Sequence, residues 1–263
     1  GLEWHNQREA IRKTRGHGFQ KGIHKAGKVP QFHSACRSWL NYQRESVRRG
    51  YGQDWKTVKI IMNAGRRGRG AWRIAAFLDT EGLLYSQQFY GLWPVDKMDH
   101  VDLFALVAIL NGPVANAFIT LHSPEKGIRK GVVNRIPLPP ALPRAVAPLV
   151  EEYIALSTDD AVFANVAPRL PRLADLLTRI DAAVLEAYDL PPRLESQLLA
   201  FFTGGKRPIG HPWTHWDEKH PGPGLRLSER LSGKFEDRGA WISKIFKPLP
   251  EEEKIIIREY GVW

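Results

Sequence analysis

Between two apolar runs the chain places Gly65, Arg66, Arg67, Gly68, Arg69 and Gly70, glycines that can bare main-chain N–H groups beside guanidiniums that can clamp oxyanions. Two chemistries suit such a loop: the phosphate cradle of a nucleotide enzyme, or a cationic hairpin tip laid against a polyanion. A nucleotide cradle must open into a helix whose N-terminus faces the phosphates. The residues that follow alternate instead, Trp72, Ile74, Ala76 and Leu78 against Arg73, Ala75, Phe77 and Asp79, which is the period of a strand. The glycine spacing also fits neither G-x-G-x-x-G nor G-x-x-x-x-G-K-[ST]. The polyanion reading is preferred; its rival is a solvated tip that only blunts a sheet edge.

Further cations surround this loop. Arg48, Arg49, Lys56 and Arg73 flank it, and Lys126, Arg129 and Lys130 fill a later basic loop, "HSPEKGIRKG". Cations of this kind bind phosphates, whereas sequence is read by side chains that reach base edges, for which Gln87 and Gln88 are candidates against the alternative of a plain polar strand face.

Other chemistries find weaker support. His211, His215 and His220, and His33 with Cys36, lack the paired spacing of a zinc site and read better as loop histidines. "DEK" at Asp217 to Lys219 and "EEEK" at Glu251 to Lys254 are the nearest approach to a metal-nuclease cluster and read as solvated charge runs. No G-x-S-x-G elbow occurs. Neither a catalytic residue nor a metal ligand is assigned.

The elements that must position these residues follow from periodicity. Alternation around Val58 to Asn63, Trp72 to Asp79 and Leu83 to Tyr90, with the turn "DTEG" at Asp79 to Gly82, predicts a three-stranded meander over 57 to 94. Asp99 and Asp102 open a helix carrying Leu103, Phe104, Leu106, Val107 and Leu110, and Pro113 starts a second after the Asn111-Gly112 break. "VVNRIPLPP" reads as a short strand stopped by prolines. Leu173, Leu176, Leu177, Ile180, Val184 and Tyr188 form one apolar face of a long helix, and Pro192 begins another. The expected class is mixed α+β: a basic N-terminal segment (1–56), a strand-rich recognition domain with a helix pair (57–140), a helical region (141–205), then a linker and short helices (206–263).

Charge is unevenly spread. Residues 1 to 73 hold 17 Lys or Arg against 4 Asp or Glu, a surplus of 13, whereas the remaining 190 hold 21 against 24, so the net charge of +10 belongs to the first third of the 263-residue chain. That asymmetry favours a nucleic-acid or other anionic partner. The chain has no run of about 18 apolar residues and no signal-peptide core at its start, and its single cysteine fits a reducing compartment; the expectation is a cytoplasmic protein.

The order of segments "KIIMN…RGAWRIAAFLDTEGLLYSQQFYGLWP", "LFALVAILNGPVANAFI", "IRKGVVNRIPLP" and "LLTRIDAAVLEAYDLPPRLESQLLAFF" resembles the C-terminal target-recognition region of adenine-specific DNA methyltransferases of the TaqI-like type, and is similar to specificity subunits of type I restriction systems. The likeness spans roughly residues 28 to 205, with "LVAILNGP" at Leu106 to Pro113 matching the family's helix-pair motif. It implies sequence-specific duplex DNA recognition within a restriction-modification system. The Asn-Pro-Pro-Tyr-type motif and glycine-rich cofactor loop of the methylating members are missing; the Pro-Pro pairs stand in "PLPPAL" and "DLPPRL". The resemblance therefore implies that S-adenosylmethionine binds a partner methyltransferase domain or subunit, upstream of Gly1 or separate, and that this chain takes no cofactor and has no activity alone. A metal-dependent nuclease and a non-catalytic RNA-binding protein are the alternatives.

Overall fold

The computed structural model describes residues 10–34, 38–41, 54–65, 70–94, 98–123, 127–158, 169–213, 216 and 224–232. The fold is mixed α+β. One antiparallel sheet has β4 (Lys59–Asn63) at its centre, flanked by β5 (Ala76–Asp79) and β7 (Phe89–Leu92). A second sheet runs β1 (Ile11–Arg12), β3 (Ser38–Asn41), β2 (Phe19–Ile23), β6 (Leu84–Tyr85), antiparallel except for the parallel pair β2 and β6. The meander expected over 57 to 94 is thus interrupted: β6 leaves it to join the N-terminal strands, and Ser86 to Gln88 turn the chain back into β7. The basic N-terminal segment supplies three strands, β1, β2 and β3.

Every residue of β4 is buried, because the sheet is covered on both faces. Ile60 and Met62 pack among residues of α1 (His100–Asn111), α4 (Ala147–Thr158) and α5 (Arg169–Tyr188), including Val107, Val150 and Ile180. Ile61 faces Ile23, Val29, Phe77, Tyr85 and Phe89. Such side chains contribute about 2 kcal/mol each on leaving water. At the start of β4, Lys59 pairs in register with Asp79, Nζ to Oδ2 at 2.5 Å, both side chains fully buried. Asp79 also accepts the amides of Glu81 and Leu83, which shapes the "DTEG" turn; Gly82 takes φ of 72° there, the left-handed region where a Cβ is strained.

The strand expected from Trp72 forms only from Ala76. Over Arg73 to Ala75 side-chain amides take most of the place of a neighbouring strand, and another pairs Ala76 on the edge away from β4. Asn116 Oδ1 accepts from the amides of Arg73 and Ile74, both at 2.8 Å; Asn63 Oδ1 accepts from Ala75 at 2.7 Å; Asn111 exchanges two bonds of 2.8 Å with Ala76. Alternation in the sequence reports burial on two sides here, not a ladder. Asn116 lies on α2 (Pro113–His122), and its Nδ2 donates to the carbonyls of Leu110, Asn111 and Gly112, groups that the end of α1 leaves without helical partners. Asn116→Ala should cost about 2–3 kcal/mol, because buried amides lose their acceptor. Urea unfolding measures it; a loss below 0.5 kcal/mol, roughly that of a neutral surface change, would contradict this bracing role.

The helices otherwise follow the sequence pattern. Asp99 caps α1 by accepting from the Asp102 amide at 2.9 Å. The apolar face expected on α5 is buried from Leu173 to Val184, while Tyr188 donates to the Pro137 carbonyl at 2.7 Å. The proline-stopped strand is absent: Lys130–Val133 is a short helix, α3, because the amides of Val132 and Val133 turn back onto the Arg129 carbonyl. A third cluster joins Trp72, Phe202, Trp216 and Leu227 between α2, α5, α6 (Pro192–Ala200) and α7 (Leu227–Ser232). The segment expected to be a linker from 206 is packed in over its described part: Arg207 is 4% exposed and Trp216 1%. Its prolines and glycines resemble a linker, but Arg207 and the tryptophans bind it to the core.

Among the described residues no single helix is long and apolar enough to cross a membrane; α1 and α2 together are apolar but meet at a 50° bend, and much of both is buried inside the fold.

Candidate nucleic-acid interface

At the end of β4 the Asn63 amide ties the neck of the arginine loop. Its Nδ2 donates to the carbonyls of Gly65 at 2.8 Å and Arg73 at 2.9 Å, so the two described ends of that segment are fixed to one side chain. Arg66, Arg67 and Arg69 lie outside the described residues, as do Arg48, Arg49 and Lys126. The later basic loop meets the same neck: Gly65 and Gly127 form an antiparallel bridge, and the Ile128 amide donates to the Ala64 carbonyl at 2.8 Å. Ser123 Oγ donates to the Gly127 carbonyl at 3.0 Å, and Tyr90 donates to the Ile128 carbonyl at 2.7 Å. The roots of both loops are therefore held together, with Arg129 and Lys130 exposed beside them.

Three expected binders occupy other roles or places. Arg73 is 4% exposed, and its Nη1 donates to the Ser123 carbonyl. It braces the later loop from inside, so a phosphate does not reach it. Lys56 is exposed but stands before the first residue of β4, at the opposite end of the strand from Gly65; the five residues of β4 alone span roughly 13 Å. Gln88 accepts the Ala64 and Gly65 amides on its carbonyl, at 2.7 and 3.1 Å, and the Ala26 amide on Oε1 at 3.0 Å, so its side chain is committed to the fold. Gln87 is exposed next to it.

Sequence reasoning missed Lys25 and Lys28. The turn Ala26–Lys28 sits against Gly65, where a Cβ added to that glycine would lie 3.6 Å from the Ala26 Cβ. Its lysines are far from the arginine loop in sequence, and the only signal for the contact was the basic surplus itself. His24 beside them has its pKa lowered, by burial first and then by the Lys25 and Lys28 charges.

Among the described residues no group of three or more His, Cys, Asp or Glu is placed to hold a metal ion. His215, His220, Cys36, Asp217 to Lys219 and Glu251 to Lys254 lie outside them. His211 makes a 2.8 Å contact from Nε2 to the Tyr153 hydroxyl. His33 is brought down to about 4, by burial first and then by His211. Its folded pKa lies below its unfolded value, so the unfolded chain takes up a proton that the fold refuses. Stability present above pH 6.5 should fall by roughly 3 kcal/mol as pH drops toward 4. Urea midpoints of the native chain and His33→Gln measure this; equal acid slopes would contradict it.

Comparison with protein-family models finds no matching family, and comparison with curated proteins finds no match.

Proposed function

We propose that this chain is the sequence-specific duplex DNA recognition module of an adenine-specific DNA methyltransferase or restriction-modification system, with methyl transfer from S-adenosylmethionine performed by a partner domain or subunit. The observation that carries the reading is the bridge between Gly65 and Gly127, which joins the roots of two basic loops that lie far apart in sequence. The neck segment Ala64-Gly65, the turn His24 to Val29, Ser86 to Phe89 and Gly127 to Lys130 carry four cations, Lys25, Lys28, Arg129 and Lys130, and no carboxylate within those segments. Phosphates supply affinity to such a face, and Gln87 supplies a bidentate group suited to an adenine edge. The family resemblance supports the methyltransferase context.

Equilibrium titration of the chain with a duplex and with single-stranded and double-stranded RNA of equal length tests the partner class. The proposal expects duplex DNA to bind at least tenfold more tightly than either RNA once the cognate sequence is present. Tighter binding of RNA would overturn it.

A further inference from the structure

Gln88, although exposed, connects two basic elements through its main-chain carbonyl and its side-chain oxygen. Its carbonyl fixes the neck of the arginine loop, and its Oε1 fixes the Ala26 amide in the turn between Lys25 and Lys28. The neighbouring Ser86 hydroxyl donates to the His24 carbonyl at 3.0 Å, and the Ser86 amide donates to the Ile23 carbonyl at 3.1 Å, so the turn is held at its entry as well. Lys25 and Lys28 are three residues apart across a turn whose period is three, the spacing at which side chains project from one side. Both are exposed, and among the described residues neither pairs with a carboxylate.

We infer that the Lys25–Lys28 turn is a third phosphate-contacting element of the same face, and that Gln88 is the positioning residue that aligns it with the arginine loop. The inference rests on the duplex DNA reading above. A turn fixed to the loop neck by main-chain and amide bonds keeps two ammonium groups beside Gly65, where the arginine loop begins, so the backbone of one duplex can meet both elements. Gln87 then faces bases from a frame held on either side. Lysine acts at such a place as a point charge and contributes register without sequence information.

The test is the salt dependence of duplex binding by the full chain. K25A/K28A should lower the magnitude of the slope of log Kobs against log[salt] by about 1.8, two contacts at about 0.9 each, and weaken cognate and scrambled duplexes alike. Gln88→Leu removes no charge, yet should lower the slope too, and adding K25A/K28A to it should lower it by less than one further unit. A merely structural Gln88 would leave the lysine effect at its full size. Binding by the native chain with the same slope in K25A/K28A overturns this inference and leaves the DNA reading standing. Failure of the native chain to bind duplex at low salt overturns both.

Discussion

Arg207→Ala is expected to destabilise the fold by about 3–5 kcal/mol, a large share of the stability of an ordinary domain. The guanidinium is enclosed and makes four hydrogen bonds. It makes a two-pronged pair with Asp181 of α5, at 2.5 and 3.0 Å, donates from Nε to Gln31 Oε1 at 2.7 Å and from Nη2 to the Asn111 carbonyl at 3.2 Å. It also lies 4.2 Å from the Trp72 ring centroid and 5.2 Å from that of Trp213. Removing it takes the guanidinium from a fully buried Asp181 carboxylate. Arg207→Lys should recover only part of the loss, since an ammonium cannot reproduce the fork or the stacking. Arg207→Met with Asp181→Leu should be less damaging than either change alone, because charge burial then disappears from both sides. Urea unfolding of the five variants measures this. An Arg207→Ala cost below 1 kcal/mol would mean that the segment from Lys206 is a peripheral strap.

The contrast between α5 and the Arg207 segment shows what the sequence exposes. Leu173, Leu176, Leu177, Ile180 and Val184 repeat at helical spacing, and burial of a single face makes such a pattern local. The break at Asn111 to Pro113 was equally plain, since Gly and Pro chemistry acts within a few residues. Arg207 looked like one more cation between turn formers, because its partners lie at Gln31, Asn111 and Asp181, distances along the chain that no periodicity encodes. A signal did exist: Asp181 sits beside Ile180 and four residues after Leu177 on the buried face of α5, and a carboxylate there demands a cation. Trp72 to Ala75 failed differently: all four are buried, and such a segment matches a strand whether the hydrogen bonds come from a ladder or from asparagine side chains. For the candidate interface, the two basic loops were legible as composition, but their joining at Gly65 and Gly127, the Lys25–Lys28 turn and the bracing contacts of Arg73 and Gln88 depend on segments distant in sequence.

Replacing Arg66, Arg67 and Arg69 together by Ala should produce the largest loss of DNA binding. Loss of three phosphate contacts reduces the magnitude of the salt slope by about 2.7 and weakens binding on the order of 100-fold at 0.15 M salt. The effect should be nearly uniform across sequences, as backbone contacts carry no base information. Gln87→Ala should differ in kind: it should cost about 1–3 kcal/mol on the cognate duplex, leave scrambled duplexes almost unchanged, and keep the slope. The fold should tolerate the arginine changes, because the neck is tied by Asn63 to the carbonyls of Gly65 and Arg73 and not by the arginine side chains.

The central claim is that the two joined basic loops grip duplex backbone. The direct measurement is the affinity of the native chain for a short duplex between about 50 and 300 mM salt, plotted as log Kobs against log[salt]. With Arg66, Arg67, Arg69, Lys126, Arg129 and Lys130 engaged, the account predicts a straight line with slope about −5 or steeper. A slope near zero, or no binding at the lowest salt, would contradict it.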